Sequence, residues 1–102
     1  MSTTYFLSFL VRGEKWTADD TPETRRIQDA HMKNILRMAE DGKLVAAGPF
    51  LDNGKLWGIF VFKVESLAEA TELTEADPAV RAGRLAMEVH PWPWSIPKGV
   101  FP

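Results

Sequence analysis

Four apolar runs of strand length, two capped amphipathic stretches between them and an Asn-Gly pair separating the second and third runs predict an α+β domain of order βαββαβ with an antiparallel sheet. That order is the ferredoxin-like sandwich, in which two helices cover one face of the sheet. At 102 residues, 45% hydrophobic and 25% charged, the chain suits one soluble globular domain. Its expected parts are an α+β core over 1–92 and an extended, proline-rich tail over 93–102.

Tyr5 to Val11, β-branched and aromatic, is the first strand, and Gly13 opens a polar loop through Asp20. Thr21 before Pro22 reads as an N-cap with proline at the first helical position, and Gly42 suits the left-handed residue past the helix end. Projected at ~100° per residue, this helix gathers Ile27, Met32, Ile35, Leu36, Met38 and Ala39 on a broad apolar arc, with Arg26, Asp29, Lys33, Arg37 and Glu40 opposite. Leu44 to Leu51 and Leu56 to Val64 follow as antiparallel neighbours joined by Asp52-Asn53-Gly54-Lys55, whose Asn-Gly pair tolerates the positive φ of a tight hairpin. Ser66 with Glu69 makes a capping box for a second helix with the stripe Leu67, Ala70 and Leu73. Asp77-Pro78 starts one further helical turn that ends near Gly83. Leu85, Met87 and Val89 alternate with polar or small residues as the fourth strand, after which Pro91, Pro93 and Pro97 predict an extended tail anchored by Trp92 and Trp94.

The strands are apolar on both faces. The third, for example, presents Trp57, Ile59 and Val61 on one side and Leu56, Phe60, Phe62 and Val64 on the other. Two helices cover one sheet face only, so the other needs a partner, and a second copy of the same sheet is the simplest one. The expectation is a homodimer of the α+β barrel type.

Composition removes several classes of function. A net charge of −2 with scattered Lys and Arg gives no electrostatic footprint for nucleic acid or an anionic membrane. With no cysteine, disulfides, thiolate nucleophiles and sulfur-ligated metals are excluded together, which fits a cytoplasmic location; no signal peptide or membrane span is visible. There is no glycine-rich phosphate loop, no nucleophile elbow around Ser8, Ser66 or Ser95, and no His pair at ligand spacing. Neither a cofactor nor a metal is expected, since His31, His90 and scattered carboxylates do not form a ligand pattern.

What remains is His31, which falls inside the apolar arc of the first helix. A buried imidazole needs partners for its ring nitrogens, and it is either a satisfied core residue or the working group of a pocket. The topology admits Asp77 as a carboxylate partner, although Asp before Pro is also a helix cap in its own right. His90 reads as a strand residue at the sheet margin or as a second functional imidazole, and Trp16 as a lid or as a pin for its loop.

The ordered series His31, Gly42-Lys43-Leu44-Val45, Ala47-Gly48-Pro49-Phe50, Gly54, Asp77-Pro78, Ala82-Gly83-Arg84-Leu85 and Val89-His90-Pro91-Trp92 resembles the YciI-like, or YCII-related, family, from about the first strand to Trp92. The resemblance implies a dimeric α+β barrel with a small pocket at the sheet end, in which His31 and Asp77 form an acid-base pair. It also implies an activity like that of the few members with an assigned reaction, which resemble lyases that eliminate chloride from a hydroxylated aromatic ring. Phe50, Trp57 and Trp92 are candidates for the walls of a substrate pocket, with core packing or a dimer interface as the alternative for each. Two functions compete at this point: a cofactor-independent lyase or isomerase for a compact, flat, oxygenated small molecule, and a non-catalytic dimeric module that binds a ligand in the same cavity. A haem- or oxygen-dependent activity is a third, more distant reading.

Overall fold

A computed structural model describes residues 4–93. Its elements run β1 (Thr4–Arg12), α1 (Pro22–Glu40), β2 (Leu44–Pro49), β3 (Leu56–Phe62), α2 (Leu67–Glu75), α3 (Pro78–Arg81) and β4 (Leu85–Pro93). The four strands form one antiparallel sheet in the order β2-β3-β1-β4, the ferredoxin-like arrangement expected. Phe6, Leu10, Phe60, Phe62 and Leu85 project from the sheet into a core closed by Met38 of α1, Ala70 of α2 and Ala79 of α3. Inside it, the Ser8 and Thr74 hydroxyls lie 2.7 Å apart and tie β1 to α2, while Thr74 also donates to the Ala70 carbonyl at 2.8 Å.

The caps act as the residues suggest. Thr21 and Thr24 complete a reciprocal capping box at the start of α1, and Gly42 and Gly83 adopt φ of +76° and +78° just past α1 and α3. At α2 only half of the expected box forms: Ser66 accepts from the Glu69 N–H at 3.1 Å, but the Glu69 carboxylate is drawn to Lys43 at 3.2 Å and to the Glu65 N–H at 3.5 Å.

Four expectations are corrected. The inward stripe of α1 is narrower and more polar than the projected arc, because His31, Asn34 and Met38 are buried whereas Met32 and Leu36 are 45% and 62% exposed. On α2, Leu67 is exposed and Thr74 takes the buried place. The β2–β3 ladder ends at Pro49 opposite Gly58, so the connection is a wider loop in which Asn53 alone has positive φ, not a tight two-residue turn. Finally, β4 continues through Pro91 and Pro93, paired with Phe6 and Thr4. It is an edge strand, and prolines two residues apart can both turn their missing N–H toward the open side. Trp94 and Pro97, part of the expected tail, lie outside the described residues.

One close approach shapes the end of the sheet near the site. Gly13 donates to the Arg84 carbonyl at 2.8 Å and Lys15 to the Gly83 carbonyl at 2.9 Å. A Cβ at Gly13 would fall 2.2 Å from the Gly83 oxygen, so only glycine lets the loop after β1 lie against the start of β4. This contact brings Arg12, Trp16 and Arg84 to one corner of the molecule.

Candidate active site

His31 lies midway along α1, facing the sheet, and Asp77 is the N-cap of α3. The Asp77 side chain is fully buried and that of His31 nearly so, and the imidazole Nδ1 is 2.9 Å and 2.8 Å from the two carboxylate oxygens. Asp77 is at the same time a working cap, since its Oδ2 accepts the Ala79 N–H at 2.9 Å and, more weakly, the Val80 N–H at 3.4 Å. Asn34, one turn along α1 from His31, donates from Nδ2 to Asp77 Oδ1 at 3.1 Å. Arg37 donates to the Asn34 Oδ1, which leaves the amide nitrogen to face the carboxylate.

The Asn34 amide and the Ala79 and Val80 N–H groups all donate to this carboxylate, and an Nδ1–H of a neutral His31 completes the set of donors around it. Nε2 then carries the free lone pair. The ring stacks on Phe60, with centroids 6.0 Å apart, and lines a cavity of about 220 Å³ between α1 and the β2–β3 strands. Leu10, Met32, Ile35, Trp57 and Phe60 give this cavity apolar walls, and Gly58, also in the lining, lets the β2 backbone lie close, since a Cβ there would come 2.9 Å from the Gly48 carbonyl oxygen. Since a dry apolar cavity of about 150 Å³ holds benzene, this volume accommodates one substituted ring.

Of the three aromatic wall candidates, Trp57 lines the cavity. The register slip that pairs Val11 with Leu56 leaves Trp57 as the extra residue of a bulge, which removes it from the simple alternation that placed it beside Ile59 and Val61. Phe50 lies beyond the end of β2, beside a shallow depression shared with Arg12 and Asn53, and Trp92 lies opposite Tyr5 at the far end of β4. His90 is on the sheet face away from the helices, 3.1 Å from Glu88 and edge-on to Phe9. Trp16 packs on Trp57 with ring centroids 4.5 Å apart. Among the described residues no group of three or more His, Asp or Glu side chains could hold a metal ion, and no helix is long and apolar enough to cross a membrane.

Asn34 is the site residue that sequence reasoning missed. The available signal was its spacing, since His31, Asn34 and Met38 follow i, i+3, i+7 and so share one helix face.

Fold and site together define a ferredoxin-like α+β domain with a carboxylate-anchored imidazole beside a small apolar cavity. Residues 9–93 match the YCII-related domain, and the chain belongs to that family. It is 28% identical over 87 residues to the uncharacterized protein YjpA of Bacillus subtilis, a match that covers 85% of this chain and 92% of the relative. Among solved structures it is similar to 5-chloro-2-hydroxyhydroquinone dehydrochlorinase from Burkholderia phenoliruptrix in complex with 2,5-dihydroxybenzoquinone. There the TM-score is 0.56 at 22% identity, with 86% of this chain and 92% of that one covered, a likeness of fold.

Proposed function

We propose that the chain is a cofactor-independent small-molecule enzyme of lyase or isomerase type, with His31 as the general base and acid and Asp77 as the group that fixes its tautomer. One observation carries the reading: an imidazole bonded through Nδ1 to a buried carboxylate sits on the wall of a ring-sized cavity. In this arrangement Nε2 takes a proton from an acidic O–H or C–H of the substrate, and the Asp77 carboxylate stabilises the imidazolium that results. The proton is then returned at another position in an isomerisation, or passes to solvent after the leaving group departs as an anion in an elimination. The apolar walls favour a flat, compact ring and the base favours one that carries an acidic O–H, a class to which the substrate named for the dehydrochlorinase of similar fold also belongs.

The ¹⁵N spectrum of the imidazoles tests the central premise. Neutral His31 is expected to show a protonated Nδ1 and an unprotonated Nε2, and a spectrum dominated by the Nε2–H tautomer would remove the base from the cavity.

The same reading includes a homodimer. The described helices lie on one face of the sheet, and the other carries the partly exposed Leu7, Phe9, Val11 and Ile59 beside the buried Tyr5 and Val61, with a polar margin at Glu88 and His90. An apolar face of this kind can pair with its own copy about a two-fold axis, sheet against sheet. Light scattering at micromolar concentration should return twice the chain mass of 11.5 kDa; a value equal to one chain contradicts the assembly.

A further inference from the structure

Next to the cavity, at the corner where the loop after β1 meets the start of β4, lies a second and larger hollow of about 550 Å³. Gln28 and Trp57 line both hollows and form the threshold between them. Its inner wall holds two guanidiniums on one indole: Arg12 and Arg84 have their Cζ atoms 5.0 Å and 4.9 Å from the centre of the Trp16 ring. Two like charges around one side chain repel, and neither has a carboxylate within ion-pair distance among the described residues. Arg12 spends one N–H on Asn53 at 3.0 Å. The Nη1 of Arg84 is buried with no hydrogen-bond partner, an arrangement that folding alone does not favour.

The acids around the hollow do not supply the missing partner. Asp20 is held by the Arg25 guanidinium at 2.6 Å and 3.0 Å, which keeps its carboxyl below the usual carboxylate range. Asp19 and Asp29 are exposed on the α1 side of the hollow.

We propose that Arg12 and Arg84, under the cover of Trp16, form a subsite for an anionic substituent of the ligand, a carboxylate or an oxyanion of similar size, while the ring that bears it lies in the His31 cavity. The proposal rests on the reading of that cavity as the ligand site and narrows its occupant to aromatic or quinonoid acids. Guanidiniums suit this task because their planar N–H pairs match a carboxylate in two-point geometry. Trp16 covers Arg84 and packs at a tilt against Trp57, so it borders both the proposed subsite and the threshold to the His31 cavity. The anion would offset the repulsion between the two guanidiniums that share the Trp16 ring.

The test is direct binding of two probes to the full-length protein at fixed ionic strength, 2,5-dihydroxybenzoate and the neutral hydroquinone, followed by calorimetry and by the indole N–H resonance of Trp16. The acid is expected to bind at least about tenfold more tightly, equivalent to about 1.4 kcal/mol, and to shift the Trp16 signal. Arg84→Gln and Arg12→Gln should each erase most of that preference while leaving hydroquinone affinity unchanged, and Arg84→Lys should restore only part of it. Thermal melts establish that each variant is folded, and Arg12, being exposed, gives an independent variant if Arg84→Gln is unstable. Equal affinity for the two probes, binding of neither, or a preference that survives both glutamine substitutions overturns the subsite. Because none of these readouts requires turnover, they fail separately from the acid-base role of His31, which His31→Gln tests by rate.

Discussion

His31→Gln is expected to lower turnover of the cognate substrate by roughly 10²- to 10⁴-fold, the usual contribution of a positioned general base, while ligand affinity stays within a few-fold. Glutamine is close to imidazole in reach and can still donate to Asp77, so the variant removes the titrating nitrogen without leaving the carboxylate unpaired among its other donors. A rate assay beside a binding measurement on the same preparation separates the two functions. If rate falls and affinity holds, the imidazole acts on the reacting atoms. If turnover of an identified substrate is unchanged, His31 is a structural residue of the cavity wall, and its assignment as the general base fails. The expected loss comes from chemistry and not from packing, since the ring contributes one stacked contact with Phe60 to the cavity wall.

How far the site could be read in advance follows from which interactions are local. The caps at Thr21-Pro22, Asp77-Pro78, Gly42 and Gly83 are short-range backbone chemistry, and the element order they delimit agrees with the folded chain. For Asp77, helix cap and histidine partner stood as competing readings; a carboxylate has about four acceptor positions, and the folded chain uses them for both. Hydrophobicity ranking failed on α1, where it favoured Met32 and Leu36 over Asn34, because it scores side chains singly and cannot register a buried amide whose partners, Asp77 and Arg37, satisfy it. The cluster of Arg12, Trp16 and Arg84 was illegible for a different reason. It is assembled by the long-range register that sets Arg12 opposite Leu85 and by the close approach of Gly13 to Gly83, and neither leaves a local pattern. The bulge that frees Trp57 and the edge position that accommodates Pro91 and Pro93 are likewise properties of pairing, not of the strands themselves.

Asp77→Ala is expected to be the most destabilising single substitution in the site. It would leave four donors short of their acceptor: His31 Nδ1, Asn34 Nδ2 and the N–H groups of Ala79 and Val80. Loss of an N-cap costs about 1 kcal/mol, and each buried donor left unpaired about 1–3 kcal/mol before water enters. A total of roughly 3–5 kcal/mol is a large share of the stability of a domain this size, and at about 4 °C or more per kcal/mol it should lower the melting temperature by at least about 12 °C. A drop of only a few degrees would show that the network is marginal to the fold. Asp77→Asn divides the two roles of the residue. The single oxygen of the new side chain can face either the α3 N–H groups or the Asn34 amide, so one donor meets a donor, and the loss of stability should fall well short of that of the alanine variant. With the introduced amide donating to Nδ1, the His31 proton moves to Nε2 and the ring no longer offers a lone pair to the cavity. A folded Asp77→Asn protein with the Nε2–H tautomer and turnover as low as that of His31→Gln would therefore locate the contribution of Asp77 in the tautomer it imposes; full turnover in the same variant would contradict the pair as an acid-base unit.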